Sequence, residues 1–221
     1  MIFNEIIRPG DLVFDIGANI GRMTDFYLSL GARVIAVEPQ SECLKILTKY
    51  AGKAVIEPCA CGDVEGEMEM AIYGTASTIS TLVPDHYWQQ GGPWANTPKD
   101  GVEIVKVTTL DKLIEKHGKP RFIKVDVEGY EREVLRGLCH PVDFLSFEFQ
   151  PYFRGAAFEC VDRICEIWQA PLFNHTLGEA KIWKEAWMNA DQMKQTIDQL
   201  WIERGVTYFG NCYVKGDNVR S

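Results

Sequence analysis

The chain has 221 residues, of which 46% are hydrophobic and 24% are charged, and these fractions disfavour disorder, collagen-like repeats and coiled coils. Its 23 basic and 31 acidic side chains give a formal charge of −8, which disfavours a protein that coats nucleic acid or an anionic membrane. We expect a single domain over residues 1–221, because a chain of this length can bury one complete hydrophobic core.

The N-terminal part alternates apolar runs with helical patterns. Short apolar runs at 11–16 and 33–37 predict buried strands, and the spacing of apolar residues at 21–30 and after Ser41 predicts a helix behind each strand. A third strand is predicted at 54–60. This β-α-β-α-β order implies parallel strands joined by right-handed crossovers.

The middle of the chain has a different pattern, and the alternation then resumes. We expect a small inserted β/loop segment around residues 64–107, because strand-like stretches at 66–73 and 102–107 flank a run rich in Pro, Gly, Trp and Tyr. The remaining predicted elements are helices at 108–117, 131–138, 158–168 and 193–201 and strands at 121–127, 144–149 and 206–214. The sequence therefore predicts an α/β fold with a doubly wound, mostly parallel sheet.

The first distinctive segment is DIGANIG, from Asp15 to Gly21, which joins the first predicted strand to the first helix. Open α/β sheets bind ligands at this position, but Asn19 stands where the dinucleotide fingerprint has its second glycine. The Asp15 carboxylate would repel a diphosphate and attract an ammonium or a sulfonium.

Glu38 extends this argument because it ends the second predicted strand. A carboxylate about twenty residues after the glycine turn is placed to accept hydrogen bonds from ribose hydroxyls. Together the two segments predict a pocket for S-adenosylmethionine and disfavour NAD. The alternative, in which both acids are ordinary polar residues at strand ends, stays open.

The second distinctive segment is IKVDVEGYEREVLRG at 123–137. Strand alternation places Asp126 and Glu128 on one side, toward the edge of the sheet where the cofactor's methyl group would lie. Glu148 ends the next predicted strand. These three acids are the candidate catalytic bases for an alcohol acceptor, whereas Glu131 and Glu133 are explained by the dipole of the helix that they begin.

With these segments the chain resembles the FkbM family of S-adenosylmethionine-dependent methyltransferases over about residues 11–150. The resemblance rests on VFDIGANIG, a Glu-Pro pair after the second strand, CACGD, VTTLDKLI and IKVDVEGYEREVLRG. It implies a Rossmann-like sheet of seven strands whose last strand is antiparallel. It also implies O-methylation, commonly of a hydroxyl on a sugar, glycan or small natural product.

The resemblance also implies a set of cofactor-binding residues. The methionine part would lie against the glycine turn, the ribose against the turn after the second strand, the adenine against the CACGD segment, and the methyl end near the second distinctive segment. In that order the residues are Asp15, Gly17, Ala18, Asn19 and Gly21, then Glu38 and Pro39, then Ala60, Cys61 and Asp63, and finally Asp126.

The long loop of the inserted segment is a candidate substrate lid, because aromatic faces suit sugars and planar acceptors. The candidate substrate-binding residues are Ser77, His86, Tyr87, Trp88 and Trp94. A surface loop held down by its own aromatic side chains is the alternative.

Other functions and sites are less consistent with the sequence. A nucleic-acid methyltransferase would have an Asn/Asp-Pro-Pro-aromatic run where this chain reads Asp126-Val-Glu-Gly-Tyr130. A protein methyltransferase, or a cofactor-binding module that acts through a partner without catalysis, stays open. The expected partner is a small-molecule or carbohydrate acceptor, and the oligomeric state is undetermined.

Seven cysteines at irregular spacing match no disulfide framework, so we expect reduced thiols and a cytoplasmic protein. No metal site is expected, because the sequence has no CxxC pair and its four histidines are dispersed. The apolar stretches are too short to cross a bilayer.

Overall fold

The computed structural model describes residues 2–73, 80–83, 97–150, 154–178, 183, 185–204, 209–216 and 219. Its centre is a seven-stranded sheet in the order β3-β2-β1-β7-β8-β10-β9, and a second sheet has the order β4-β6-β5. The strands are β1 (Leu12–Ile16), β2 (Arg33–Val37), β3 (Val55–Glu57), β4 (Ala60–Cys61), β5 (Gly66–Ile72), β6 (Gly101–Thr108), β7 (Phe122–Val125), β8 (Phe144–Phe149), β9 (Leu172–Leu177) and β10 (Gly210–Lys215). The helices are α1 (Ile2–Ile6), α2 (Arg22–Ser29), α3 (Ser41–Leu47), α4 (Leu110–His117), α5 (Glu131–Arg136), α6 (Arg154–Ile167) and α7 (Ala190–Arg204).

The order of the large sheet confirms the predicted doubly wound α/β fold. The strands β1, β2, β3, β7 and β8 pair in parallel, whereas β10 is antiparallel to both β8 and β9. The chain runs outward from β1 to β3 and then returns to β7 on the other side of β1. This reversal between β1 and β7 is the place where open α/β sheets bind ligands, at the carboxyl ends of the strands.

The large sheet is buried on both faces, as a parallel sheet must be when helices cover it. On β1, Val13 belongs to a cluster with residues of α1 and α2, whereas Phe14 and Ile16 belong to the cluster under α4, α5 and α6. Asp15 follows the alternation and lies on the Val13 face, although it is a carboxylate with no exposed surface. The strand that carries the glycine turn is therefore held from both sides.

The inserted segment forms the second sheet. The strands β5 and β6 are antiparallel partners, and the backbone of Thr81 forms an antiparallel bridge with Ala71 of β5. The predicted third strand at 54–60 is wrong in its extent, because β3 ends at Glu57 and Ala60–Cys61 pair with β6 instead. Pro58 stands at that break and has no N–H for a sheet ladder.

Two further strands differ from the sequence prediction. The strand β9 was not predicted, and the last strand begins at Gly210 rather than at residue 206, with 205–208 outside the described residues. The helix that follows β2 ends at Leu47, and Tyr50 lies in a short 3₁₀ turn after it. In the described parts of the chain, no helix is long and apolar enough to cross a membrane.

Candidate functional site

The glycine turn after β1 is held between the neighbouring strands. The backbone N–H groups of Gly17 and Ala18 both donate to the carbonyl oxygen of Val37 at 3.0 Å, which fixes the turn to the end of β2. Gly17 has φ +80°, and a Cβ there would lie 1.8 Å from the carbonyl oxygen of Asp126 beyond β7. A side chain at Gly17 is therefore excluded by both its conformation and its contact with the neighbouring loop.

The far end of the turn rests on Tyr50. A Cβ on Gly21, which has φ +88°, would lie 2.3 Å from Cε2 of Tyr50, and the Tyr50 hydroxyl donates to the Gly21 carbonyl oxygen at 2.8 Å. Between the two glycines, Asn19 has φ +49°, and its side-chain oxygen accepts from the N–H of Ile20 at 2.7 Å. Tyr50 is not among the site residues that the sequence predicts, and its only signal in the sequence is its place in the pattern after Ser41.

Glu38 connects the two segments that the sequence predicts to bind the cofactor. Its Oε2 accepts from the N–H of Asn19 and its Oε1 accepts from the N–H of Gln40, both at 2.8 Å. The residue is 5% exposed, and this burial raises the pKa of its carboxyl from 4.5 to about 7. Glu38 therefore faces the glycine turn rather than bulk water, with half-buried Pro39 beside it.

Asp15 lies beneath the turn rather than at its surface. The Thr24 hydroxyl donates to its Oδ2 at 2.7 Å, whereas its Oδ1 is buried and has no hydrogen-bond partner among the described residues. Burial raises the pKa of Asp15, and the charge of Lys124 acts in the opposite direction. The positive charge of the buried Lys124 therefore stabilises the ionised form of Asp15.

The three candidate catalytic acids come together beyond β7 and β8. Carboxylate oxygens of Asp126, Glu128 and Glu148 all lie within 4.8 Å of one another, and all three residues are half-buried. Lys124 donates to Asp126 Oδ2 at 2.6 Å. Gln150, which the sequence analysis did not assign, donates from Nε2 to Glu148 at 2.8 Å and to Glu128 at 3.2 Å. We call Asp126, Glu128, Glu148 and Gln150 the acidic cluster.

Removal from water and mutual repulsion change the basicity of this cluster. Burial first, and then the charge of Asp126, raises the pKa values of Glu128 and Glu148 well above those of free carboxyls. In the neighbouring Glu131, burial raises the pKa more than the hydrogen bonds lower it, so the pKa is about 7. Carboxylates with raised pKa values are stronger proton acceptors, which is the property that a general base needs.

The backbone around Glu128 is held by two contacts that the sequence did not indicate. Glu128 has φ +54°, a left-handed backbone conformation that residues other than glycine rarely adopt. Glu131 Oε1 accepts from the N–H groups of Val127 and Gly129 at 3.0 and 3.3 Å, so this acid holds the loop. Thr81 of the inserted segment donates to the Glu128 carbonyl oxygen at 2.8 Å.

The other predicted site residues belong to the CACGD segment and to the inserted segment. Ala60 and Cys61 are buried in the second sheet, and burial raises the pKa of the Cys61 thiol well above its usual value. Asp63 is exposed, and its charge acts on Tyr130 of the loop before α5. The candidate substrate-binding residues Ser77, His86, Tyr87, Trp88 and Trp94 lie outside the described residues.

Several known proteins are similar to this chain in sequence or structure. Residues 15–177 match the family model described as the methyltransferase FkbM domain. The chain is 31% identical over 212 residues to 31-O-demethyl-FK506 methyltransferase FkbM of Streptomyces tacrolimicus, covering 77% of this chain and 79% of that protein. It is 29% identical over 147 residues to hexuronic acid methyltransferase AglP of Haloferax volcanii, covering 65% of this chain and 56% of that protein. Precorrin-6y C5,15-methyltransferase from Geobacter metallireducens GS-15 aligns with a TM-score of 0.49 and 8% identity over 98% of this chain and 85% of that one.

Proposed function

Because the chain belongs to the FkbM methyltransferase family, we propose that it transfers a methyl group from S-adenosylmethionine to a hydroxyl oxygen of a sugar or small natural product. The observation that carries this proposal is the contact between Gly17 and the Asp126 carbonyl. It places the predicted cofactor turn directly against the loop that holds the candidate bases. A donor bound on the turn would present its reactive end to those bases.

The chemistry of Glu38 supports an adenosyl cofactor. Each of its two carboxylate oxygens accepts one backbone N–H, and each oxygen can accept a further hydrogen bond. Two ribose hydroxyls can therefore donate to an anion that is already fixed in position. Hydrogen bonds to a charged acceptor contribute on the order of 1.5–3 kcal/mol each.

When bound, the cofactor would supply a methyl group activated on a positively charged sulfur. With that donor bound, a carboxylate of the acidic cluster would accept the proton of the acceptor hydroxyl as its oxygen is methylated. Holding the two reactants in line can contribute roughly 7–11 kcal/mol, and the base typically contributes about 10²–10⁴-fold. Asp126, Glu128 and Glu148 are the residues that would accept the proton.

The names of the two relatives support a hydroxylated small molecule or carbohydrate as the acceptor. They specify a demethyl-FK506 and a hexuronic acid for those proteins. The net charge of −8 gives no general attraction for nucleic acid, which is consistent with a small acceptor.

Calorimetric titration of the full chain with S-adenosylmethionine, S-adenosylhomocysteine and NAD tests the cofactor. We expect one site for each adenosyl compound, none for NAD, and loss of binding in Glu38→Ala. A screen of sugars, uronic acids and phenols that measures S-adenosylhomocysteine release then tests the reaction. NAD binding without adenosyl binding would reject the proposal, and adenosyl binding without turnover on any acceptor would favour a module that acts through a partner.

A further inference from the structure

We propose that the buried Lys124 is a positioning residue for the methyl transfer, because its ammonium group fixes the Asp126 carboxylate at the carboxyl end of β7, beside the other acids of the acidic cluster. Lys124 is not among the candidate site residues that the sequence predicts, although it lies in the second distinctive segment. This role rests on the proposed function, since it places Lys124 in that reaction.

The register of the large sheet places Lys124 between the cofactor turn and the acidic cluster. On β7 it is paired with Asp15 of β1 on one side and with Ser146 of β8 on the other. Neighbouring strands are about 4.8 Å apart, and the side chains of paired residues lie on the same face of a sheet. Asp126 follows two residues later and accepts from the Lys124 ammonium at 2.6 Å. One ammonium group therefore lies beside the carboxylate beneath the glycine turn and also contacts the carboxylate beyond β7.

The exposure of the two side chains separates their roles. The side chain of Lys124 is 11% exposed, whereas that of Asp126 is 28% exposed. Asp126 is therefore better placed to meet an acceptor, and Lys124 lies behind it. Lys124 would act on the reaction through Asp126 rather than by touching the acceptor.

The surroundings of Lys124 keep it positively charged. Burial lowers the pKa of an ammonium group, but the charges of Asp126 and Asp15 outweigh burial and raise the pKa of Lys124 above its ordinary value. The residue therefore stays protonated near pH 7. A protonated lysine has hydrogen-bond donors but no acceptor, so Lys124 cannot itself take the proton of the hydroxyl.

The Lys124 ammonium opposes the repulsion within the acidic cluster. Carboxylate oxygens of Asp126, Glu128 and Glu148 lie within 4.8 Å of one another, where like charges repel. The contact with Lys124 holds Asp126 in place against this repulsion. Burial and the charge of Asp126 raise the pKa of Glu128, and the charge of Lys124 acts in the opposite direction. The lysine thus fixes one acid and makes a second one easier to ionise.

The titratable groups that interact with this ion pair come from several elements. Burial raises the pKa values of the two tyrosines among them, so both stay neutral near pH 7. The carboxyl groups are therefore the ones whose ionisation depends on Lys124. The interacting groups are Asp15 of β1, Tyr27 of α2, Glu128 before α5, Glu131 of α5, Glu148 of β8 and Tyr213 of β10.

The test measures kcat against pH in the wild-type protein and in Lys124→Met, at saturating S-adenosylmethionine and acceptor. Methionine fills a similar space without the charge. Carboxyl groups that lose a nearby cation ionise at higher pH, so the part of the profile where kcat rises with pH should move up by at least about one unit. On that part of the profile kcat should fall at least about tenfold. Lys124→Arg keeps the charge and should keep the wild-type position of the rise.

Arg121→Met is the matched control. Arg121 directly precedes β7 and pairs with Asp143 at the opposite end of the strand from the acidic cluster. Its loss also removes a cation from an ion pair and should lower the melting temperature, but the pH profile of kcat should stay where it is in the wild-type protein. An equal displacement of the profile in Arg121→Met and Lys124→Met would overturn the role of Lys124.

The double variant Lys124→Met/Asp126→Asn decides whether Lys124 acts through Asp126. If it does, the double variant and Asp126→Asn should differ in kcat by less than about twofold, because the second substitution removes nothing further. A tenfold further loss in the double variant would overturn the proposal. This comparison also decides the question where Lys124→Met fails to fold, since the double variant lacks the carboxylate that Lys124→Met leaves without its cation.

Failure of this role and failure of the proposed function give different results. A wild-type chain that turns over, with an unchanged pH profile in the folded Lys124→Met protein, rejects only the role of Lys124. A wild-type chain that neither binds S-adenosylhomocysteine nor methylates any acceptor rejects the proposed function and, with it, the role of Lys124 in that reaction.

Discussion

The carbonyl oxygen of Asp126 occupies the space that a side chain on Gly17 would need, 1.8 Å from the position of a Cβ. The N–H of Asp126 also donates to the carbonyl oxygen of Ile16 at 3.0 Å, so the chains that leave β1 and β7 remain paired beyond the strands. The glycine turn and the loop that begins at Asp126 are therefore in direct contact at the point where the strand order reverses. A substitution in the glycine turn should therefore displace the Asp126 loop, and a substitution in that loop should displace the turn.

Gly17→Ala tests this contact. The substitution adds a methyl group where the Asp126 carbonyl lies and also places a side chain at φ +80°. We expect at least tenfold weaker binding of S-adenosylhomocysteine in calorimetry, together with a lower melting temperature. Gly52→Ala is the matched control, since Gly52 has φ +78° but nothing within 4 Å of its Cβ position. It should show only the conformational cost of about 1–2 kcal/mol, and an equal loss in both variants would contradict a role for the contact.

The pH dependence of cofactor binding should follow Glu38. Burial raises its pKa to about 7, and the acids whose charges act on it are Asp15 and Glu103. Ribose hydroxyls donate best to the ionised form, so the affinity for S-adenosylhomocysteine should rise as the pH increases through about 7 and then level off. Glu38→Gln should remove most of this rise and bind weakly at every pH. A profile that is identical in the two proteins would exclude Glu38 as the titrating group.

The same shift predicts the sign of a stability change. The folded state binds the Glu38 proton more tightly than the unfolded state, whose pKa stays near 4.5. The contribution of the protonated group is therefore fully present below about pH 4.5 and is lost as the pH rises through about 7. Urea unfolding of the wild-type protein and of Glu38→Gln should diverge over this interval, with the wild-type protein losing stability relative to the variant. Curves that stay parallel across the interval would contradict the shift.

The sequence predicts most of the large sheet because its central strands are continuous apolar runs, as in β1 and β2. It misses β9 because this strand carries the polar residues Asn174 and His175, which are 1% and 3% exposed. Asn174 makes this burial possible, since its Nδ2 donates to the carbonyl oxygen of Glu185 at 2.8 Å. Glu185 lies 11 residues further along the chain and outside the strand, so the pattern within the strand could not indicate it.

In the candidate site, too, the sequence predicts some residues and misses others. Glu38 and Gly17 are predictable because each lies at the end of a strand, and the topology of a doubly wound sheet brings such positions to one edge. Thr81 and Gln150 contact Glu128 from positions 47 and 22 residues away along the chain. Their roles depend on tertiary contacts, and neither residue belongs to a motif.

Neutral variants of the three acids should separate catalysis from cofactor binding. Asp126→Asn, Glu128→Gln and Glu148→Gln keep the size of each side chain and remove its charge. We expect the variant that lacks the proton-accepting carboxylate to lower kcat by about 10²–10⁴-fold, while the Kd for S-adenosylhomocysteine changes less than about threefold. Glu67→Gln on the exposed part of β5 is the control and should keep full turnover. Full turnover in all three acid variants would remove the acidic cluster from the mechanism.

Substitution of Thr81 should lower turnover without changing cofactor binding. Its hydroxyl donates to the Glu128 carbonyl oxygen at 2.8 Å and accepts from the N–H of Val83 at 3.0 Å, and the residue is 1% exposed. Thr81→Val keeps the shape but leaves both buried partners unsatisfied, at a cost of about 1–3 kcal/mol. Because Glu128 has φ +54°, release of its carbonyl should let the loop relax, so kcat should fall and the Kd for S-adenosylhomocysteine should stay unchanged.

Thr81→Ser decides between this positioning role and a general loss of stability. Serine keeps the hydroxyl and removes only a methyl group, so it should restore most of the turnover that Thr81→Val loses. A variant that is merely less stable would instead lose turnover in proportion to the folded fraction, which thermal melts of both proteins measure. If Thr81→Val is fully folded and turns over at the wild-type rate, then Glu128 does not need its link to the inserted segment.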